Sequence, residues 1–316
     1  MTLKKISSSI YIRRCYHNFP FIHEINYSPS SLDDQAEGLL WSQVYHKQQP
    51  VVIRSLVSSW NAVSHPNRRW SDLAQLRDRV LASSTECNEL IIVPVEIGDS
   101  YMDEKLSKQF IEFNHLLDLY ISTGYDCHSH NHKNNTTTNN HEQLAMPRIY
   151  LAQYDVDEIH VLRDDIKTPR LCSTGKGSVY KKNIWFGSPQ GTISPCHYDP
   201  FQNVLCQVVG EKQIIVFDPS LGRYLYPAIN TVQKNTSFVD INKPDLNKHP
   251  LYQEILNHVE NNHNTDKDQY DDNKAHTTMM LGRTTLYPGD AVYIPFKWWH
   301  YCKTSTLSCS INYWWL

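Results

Sequence analysis

The sequence predicts a mainly β fold, a sandwich or small barrel of antiparallel strands preceded by helices. Runs of β-branched and aromatic residues bounded by turn residues recur through the second half of the chain, whereas helical periodicity is mostly confined to the first half. A chain of 316 residues, 40% of them hydrophobic, is long enough to bury one large core. The 30 basic and 33 acidic residues give a net charge of −3, which excludes a strongly basic nucleic-acid-binding protein.

Helices are predicted where apolar residues recur at intervals of three and four. These segments are 32–47, 70–81, 107–122 and, as a shorter candidate, 245–259. Single strands are predicted over 50–57, 90–98 and 306–315. Two further segments, 202–219 and 283–295, each hold two apolar stretches around a turn that contains glycine. We expect each of these two segments to form a β-hairpin.

Two segments have almost no core-forming side chains and are predicted to be solvated loops, 126–142 and 257–276. The second contains five acidic and two basic residues, so the net charge of the chain belongs to this insert. Residues 1–24 form a basic N-terminal arm. Its first 23 residues contain no acid and loosely resemble an organelle transit peptide, but a plain arm is the simpler interpretation. We expect one catalytic domain over 25–316 that carries both polar inserts.

Composition also indicates the compartment. No stretch approaches the roughly 18 to 20 apolar residues that a membrane span requires, so no membrane contact is expected. The 8 cysteines are scattered and include no C-x-x-C pair, which favours reduced thiols over a disulfide framework. A nuclear or cytoplasmic location is therefore expected.

The strongest functional signal is the stretch GTISPCHYDP, residues 191–200. His197 and Asp199 are two residues apart, so on an extended strand both side chains face the same side. His300, within YIPFKWWHYC, is the candidate third ligand. Two imidazoles and one carboxylate form the facial ligand set of non-haem Fe(II) oxygenases. A His-x-Asp triplet alone is a weak signal, because a polar residue in such a triplet is usually a hydrogen-bonded structural residue.

Together with its neighbours, this motif resembles the Jumonji-C family of Fe(II)/2-oxoglutarate dioxygenases. The residues that carry the resemblance are His197-x-Asp199, Asn203, Lys212, the stretch YPGDAVYIPFKWWH that ends at His300, and the terminal Trp-Trp. Four other stretches resemble the branch called lysine demethylase 8, or arginyl hydroxylase: VPVEIGDSYMDEK (93–105), IYLAQYDV (149–156), WFGSPQGTISP (185–195) and FVDINKPDLNKHP (238–250). The resemblance implies a double-stranded β-helix of the cupin, or jelly-roll, type.

The resemblance also implies the cofactors and the residues that bind them. The implied catalytic Fe(II) ligands are His197, Asp199 and His300. The co-substrate 2-oxoglutarate would bind iron through its keto-acid end and Lys212 through its distal carboxylate. The further co-substrate contacts implied are Tyr150, Ser194 and Asn203. Lys212 suits a carboxylate because an ammonium is a compact charge with three donors. With O₂, such a centre oxidises a C–H bond and releases succinate and CO₂.

The substrate pocket is indicated by Glu96, which lies in an otherwise apolar strand where a carboxylate is costly unless it is paired. The positions that the resemblance assigns to this pocket are Glu96, Tyr101, Gln153 and Trp185. An acid, an amide and an aromatic face suit a cationic side chain. We therefore expect an Arg or methyl-Lys side chain of a protein or peptide as substrate, with arginyl C-hydroxylation or N-methyl-lysine demethylation as the reaction. A structural salt bridge is the alternative explanation for Glu96.

Two other functions fit parts of the pattern. A tRNA wybutosine-type hydroxylase of the same family shares the NKPDL and His-x-Asp features, but the neutral body and acidic insert argue against a nucleic-acid partner. A catalytically inactive cupin-like binding module fits the fold, but the intact set of ligands and Lys212 argue against it. Because the sequence ends at Leu316, directly after Trp-Trp, dimerisation through later helices is not expected, and a monomer is.

Overall fold

The computed structural model describes residues 19–28, 33–98, 106–123, 148–264 and 279–316. The helices within these ranges are α1 (Asp34–Lys47), α2 (Asn61–Ser64), α3 (Leu73–Cys87), α4 (Phe113–Ser122) and α5 (Tyr252–Asn264). The strands are β1 (Glu24–Asn26), β2 (Val51–Arg54), β3 (Ile92–Ile97), β4 (Ser107–Glu112), β5 (Ile149–Asp155), β6 (Val179–Gly187), β7 (Ile193–Tyr198), β8 (Gln202–Val209), β9 (Lys212–Phe217), β10 (Leu281–Leu286), β11 (Ala291–Ile294), β12 (Trp299–Lys303) and β13 (Ser308–Trp315).

These strands form two sheets, which confirms the predicted cupin-type β fold. The larger sheet has the strand order β1-β2-β11-β8-β13-β6-β5-β3-β4, and the smaller sheet has the order β10-β9-β12-β7. All pairs are antiparallel except β1 with β2. Leu205 and Val292 of the larger sheet share a buried apolar cluster with Ile214 and Val216 of the smaller one. Burial of apolar surface between the sheets therefore holds the two layers together.

Helices α1, α3 and α4 cover the outer face of the larger sheet. Trp41, Leu76 and Phe113 from the three helices are buried in one cluster with Phe186 and Ile311 of β6 and β13. Helices α1 and α3 each follow an aspartate, Asp33 and Asp72, whose side chain accepts a backbone N–H of the first turn. Because helices cover one face of the larger sheet, its opposite face is the one that meets the smaller sheet, and a cavity can form between the two.

The two predicted hairpins are wrong. Strand β8 pairs with β11 and β13, whereas β9 pairs with β10 and β12 in the other sheet. Strands β10 and β11 also lie in different sheets. In this two-layer fold each short turn carries the chain from one sheet to the other. Such a crossing uses the same kind of glycine-containing turn as a hairpin. Gly210 has φ 67°, and a Cβ there would collide with the Leu307 carbonyl oxygen.

Two other predicted elements need correction. The segment 107–122 is helical only from Phe113, because its first half is strand β4, which pairs with β3. The helix predicted over 245–259 begins at Tyr252 and runs into the predicted insert 257–276 as far as Asn264. Val259 of that insert is buried, and its contacts with the core explain why the helix continues.

The ends and inserts complete the domain description. Residues 1–18, the insert 126–142 and the rest of the second insert lie outside the described residues. Phe19 and Ile22, at the end of the predicted N-terminal arm, are buried, and Phe19 packs edge-on against Phe217. In the part of the chain that the structure describes, no helix is long and apolar enough to cross a lipid bilayer.

Candidate metal centre

Two histidines and an aspartate converge at one end of the smaller sheet. His197 in β7 lies directly opposite His300 in β12, and Asp199 follows β7. One potential ligand atom from each lies within 4.8 Å of the others. Nε2 of His300 is 3.6 Å from Asp199 Oδ2, and Nε2 of His197 is 4.0 Å from Oδ1. Across the described ranges, this is the one group of three His, Cys, Asp or Glu side chains placed to hold a metal ion.

A β-bulge in β7 brings Ser194 and His197 to the same side. Regular alternation would point residues three apart to opposite faces of the strand. Cys302 pairs with Ser194 and His300 pairs with His197, so β7 has one more residue than β12 between these two pairs. The extra residue re-aims the strand, and both Ser194 and His197 line the same cavity. The His-x-Asp spacing alone could not predict this bulge.

Backbone carbonyls hold both imidazoles in the tautomer that a metal requires. Nδ1 of His197 is 2.7 Å from the Pro195 carbonyl oxygen, and Nδ1 of His300 is 3.2 Å from the Trp298 carbonyl oxygen. Since a carbonyl only accepts, Nδ1 carries the proton and Nε2 is the nitrogen whose lone pair could bind a metal. Burial, and secondly the neighbouring His197, lower the pKa of His300 to about 4. This imidazole is therefore neutral near pH 7.

The ligands line a cavity between the two sheets. The structure brings every predicted metal and co-substrate residue to its wall, together with Trp185. The lining residues that sequence reasoning missed are Leu205, Ile294, Cys302 and Asn312. Cys302 lies two residues from His300 on β12, so period-two alternation was the available signal for it.

Lys212 adds a cationic group to the wall of the cavity. Its side chain is 3% exposed and begins β9, so it is not the solvated turn residue that its position after Gly-Glu suggests. No hydrogen bond or ion pair joins its ammonium to another described residue, and burial lowers its pKa. The nearby Tyr150 hydroxyl bonds to Ser194 and Thr192, and burial raises its pKa above the usual range. An unpaired buried ammonium beside hydroxyl donors fits a carboxylate ligand.

The four predicted substrate residues do not lie together in the cavity as the metal and co-substrate residues do. The ring of Trp185 lies in the cavity wall, 6.0 Å from that of Tyr150. Glu96 pairs with Lys108 on the neighbouring strand, with 3.1 Å between Nζ and Oε1. Gln153 is exposed, with φ 52° in a bulge of β5, and does not line this cavity. Tyr101 lies outside the described residues. The substrate pocket therefore stays a prediction, with Trp185 its one member in the cavity.

Comparison with known proteins matches residues 37–316 to the family described as a cupin-like domain. The chain is 31% identical over 271 residues to lysine-specific demethylase 8 of Xenopus tropicalis, covering 85% of this chain and 48% of that protein. It is 31% identical over 280 residues to lysine-specific demethylase JMJ30 of Arabidopsis thaliana, covering 88% and 52%. Lysine-specific demethylase 8 of Danio rerio is 32% identical over 272 residues, covering 85% and 53%. The chain thus spans about half the length of these curated relatives.

Proposed function

This chain belongs to the cupin-like family of Jumonji-C domains, and from that premise we propose that it is an Fe(II)- and 2-oxoglutarate-dependent dioxygenase that oxidises a protein side chain. The observation that carries the proposal is a pair of opposed binding groups in one cavity. Two imidazoles and a carboxylate suit a divalent cation such as Fe(II), and Lys212 suits an anion. A dicarboxylate that chelates the metal at one end and meets the ammonium at the other satisfies both.

The residues of this chain would position the reactants. His197, Asp199 and His300 would hold Fe(II), which when bound supplies, with 2-oxoglutarate and O₂, the oxidation of a C–H bond with release of succinate and CO₂. Lys212 and the Tyr150 hydroxyl would hold the distal carboxylate, which sets the direction of the co-substrate. Leu205, Ile294 and Trp185 give the cavity apolar walls, which limit the access of water.

The substrate that we propose is a cationic side chain, Arg or methyl-Lys. The ring of Trp185 in the cavity wall supports this choice, because aromatic faces attract guanidinium and methylammonium groups. Glu96 adds a carboxylate one strand away from Tyr150, and its partner Lys108 is 72% exposed. Because water surrounds this lysine, the ion pair is weakened on its side, and a substrate cation could replace Lys108. The names of the relatives favour methyl-lysine for those proteins; arginyl C-hydroxylation fits the same site chemistry here.

The proposal is tested by incubating the protein with Fe(II), 2-oxoglutarate, ascorbate and peptides that contain Arg or methyl-Lys. We expect succinate together with either a peptide that has gained one oxygen atom, the mark of hydroxylation, or formaldehyde and a peptide that has lost a methyl group. A His197→Ala variant should give neither. Wild-type protein that binds the metal but forms no succinate with or without peptide would overturn the proposal and favour a binding module.

A further inference from the structure

The carboxylate of Asp199 is one end of a hydrogen-bond chain that crosses the larger sheet. Nδ2 of Asn203 donates to Asp199 Oδ2 over 3.1 Å, and Nδ2 of Asn312 donates to Asn203 Oδ1 over 3.0 Å. Oδ1 of Asn312 accepts the indole N–H of Trp185 over 2.8 Å and an amide N–H of Asn183 over 3.1 Å. All three asparagines are at least 96% buried.

Both ends of this chain have a single hydrogen-bonding role. A carboxylate only accepts, and an indole N–H only donates. The amides between them must therefore direct oxygen towards Trp185 and nitrogen towards Asp199. Turning over Asn203 or Asn312 would place two oxygens or two N–H groups in contact, a mismatch that is costly for buried groups. The two ends together define one arrangement of the amides.

We infer that Trp185 is a positioning residue for the metal centre and acts through Asn312 and Asn203. The hydrogen bond from Asn203 holds the orientation of the Asp199 carboxylate, whose Oδ2 and Oδ1 lie 3.6 Å and 4.0 Å from Nε2 of His300 and of His197. The same indole forms part of the wall against which we propose the substrate binds, so substrate contact and ligand orientation share one side chain. The inference rests on the metal centre of the proposed function and adds a role that no contact with the metal reveals.

The variant Trp185→Phe keeps an aromatic wall and removes the donor. Its matched control is Trp70→Phe, because the Trp70 indole also donates to a buried carboxylate, Asp165 Oδ2, over 2.9 Å, but does not line the cavity. Mn(II) affinity is measured by calorimetry on metal-free protein, with thermal unfolding of the same samples. We expect binding about 3- to 10-fold weaker in Trp185→Phe, less than the 10- to 100-fold that loss of a direct partner costs. Trp70→Phe should bind Mn(II) like the wild type.

Two further measurements separate positioning from a structural effect. The visible absorption of bound Co(II) reports ligand geometry, and we expect it to change in Trp185→Phe and not in Trp70→Phe. Benzothienylalanine at position 185 keeps the shape of the indole without its N–H, and it should weaken Mn(II) binding as phenylalanine does. The inference is overturned if the Mn(II) affinity of Trp185→Phe stays within twofold of wild type and its Co(II) spectrum is unchanged. It is also overturned if phenylalanine at position 185 weakens Mn(II) binding but benzothienylalanine does not. Wild-type protein that binds no Mn(II), or a His197→Ala variant that binds it equally well, would instead refute the metal centre.

Discussion

At the residue scale, Lys212 shows how a binding site lowers the stability of the protein that carries it. Its ammonium is 3% exposed and makes no ion pair with a described residue. Lys212→Met keeps a similar length and removes the charge. We expect the free energy of unfolding of the ligand-free variant to rise by about 1 to 3 kcal/mol, because the desolvation cost disappears. Its affinity for 2-oxoglutarate in the presence of Mn(II) should fall by at least about 2 kcal/mol. Denaturant unfolding and calorimetry measure the two effects.

The pH dependence of the unfolding free energy, compared between wild type and Lys212→Met, tests whether the buried charge causes the difference in stability. Burial lowers the pKa of Lys212, so between that lowered pKa and the ordinary value near 10.4 the folded protein binds fewer protons than the unfolded chain. The stability of the wild type therefore rises with pH through this interval relative to the variant. We expect the advantage of Lys212→Met in unfolding free energy to shrink as the pH rises through this interval towards about 10. An advantage that is constant over this range would show that the charge is not its origin.

The contrast between His197 and Asn312 shows which site residues the sequence can reveal. His197 and Asp199 were predictable because their relation is local: they lie two residues apart in one short stretch, at the end of β7 and directly after it. Asn312 lies in β13 among apolar and aromatic neighbours, and its importance comes from partners on β6 and β8 that are distant in sequence. Only the assembled sheet brings these side chains together, and so the hydrogen-bond chain from Trp185 to Asp199 could not be predicted.

At the scale of elements, the strands were predictable and their partners were not. Alternating apolar residues place β8 and β9 correctly within 202–219, but the same signals describe a hairpin and a turn between layers. Strand β4 was predicted as helix because its spacing in 107–112 continues that of α4, and pairing with β3 overrides this local preference. Sequence patterns report local backbone preference, whereas sheet partners depend on burial summed over the whole fold.

The buried carboxylate of Asp165 links separate segments of the helical layer. Asp165, at the end of a short 3₁₀ segment (His160–Asp165), forms ion pairs with Arg68 before α3 and Arg79 within it, the latter over 2.7 Å. The Trp70 indole donates to the same carboxylate. We expect Asp165→Asn to lower the free energy of unfolding by about 2 to 4 kcal/mol, because two guanidinium groups lose their buried counter-charge. Urea denaturation measures this loss.

The control for Asp165 is an ion pair of the same chemistry on the surface. Arg77 and Asp78 are 2.7 Å apart at their closest N–O contact, with side chains 32% and 66% exposed. Asp78→Asn should change the unfolding free energy by less than about 1 kcal/mol, since water screens exposed pairs. If both variants lose the same stability, burial of Asp165 is not what makes its ion pairs matter.

At the scale of the whole molecule, the cavity joins the two sheets. The metal ligands and Lys212 come from the smaller sheet or the turn after β7, whereas Tyr150 and Asn203 come from the larger one. A metal alone should therefore slow amide hydrogen exchange mainly in β7 and β12, and metal with 2-oxoglutarate should extend protection to β5, β8 and β9. At about 100 times its dissociation constant, the co-substrate should add about 2.7 kcal/mol of stability. His197→Ala should show neither effect. Protection confined to the smaller sheet with both ligands present would contradict a co-substrate that bridges the layers.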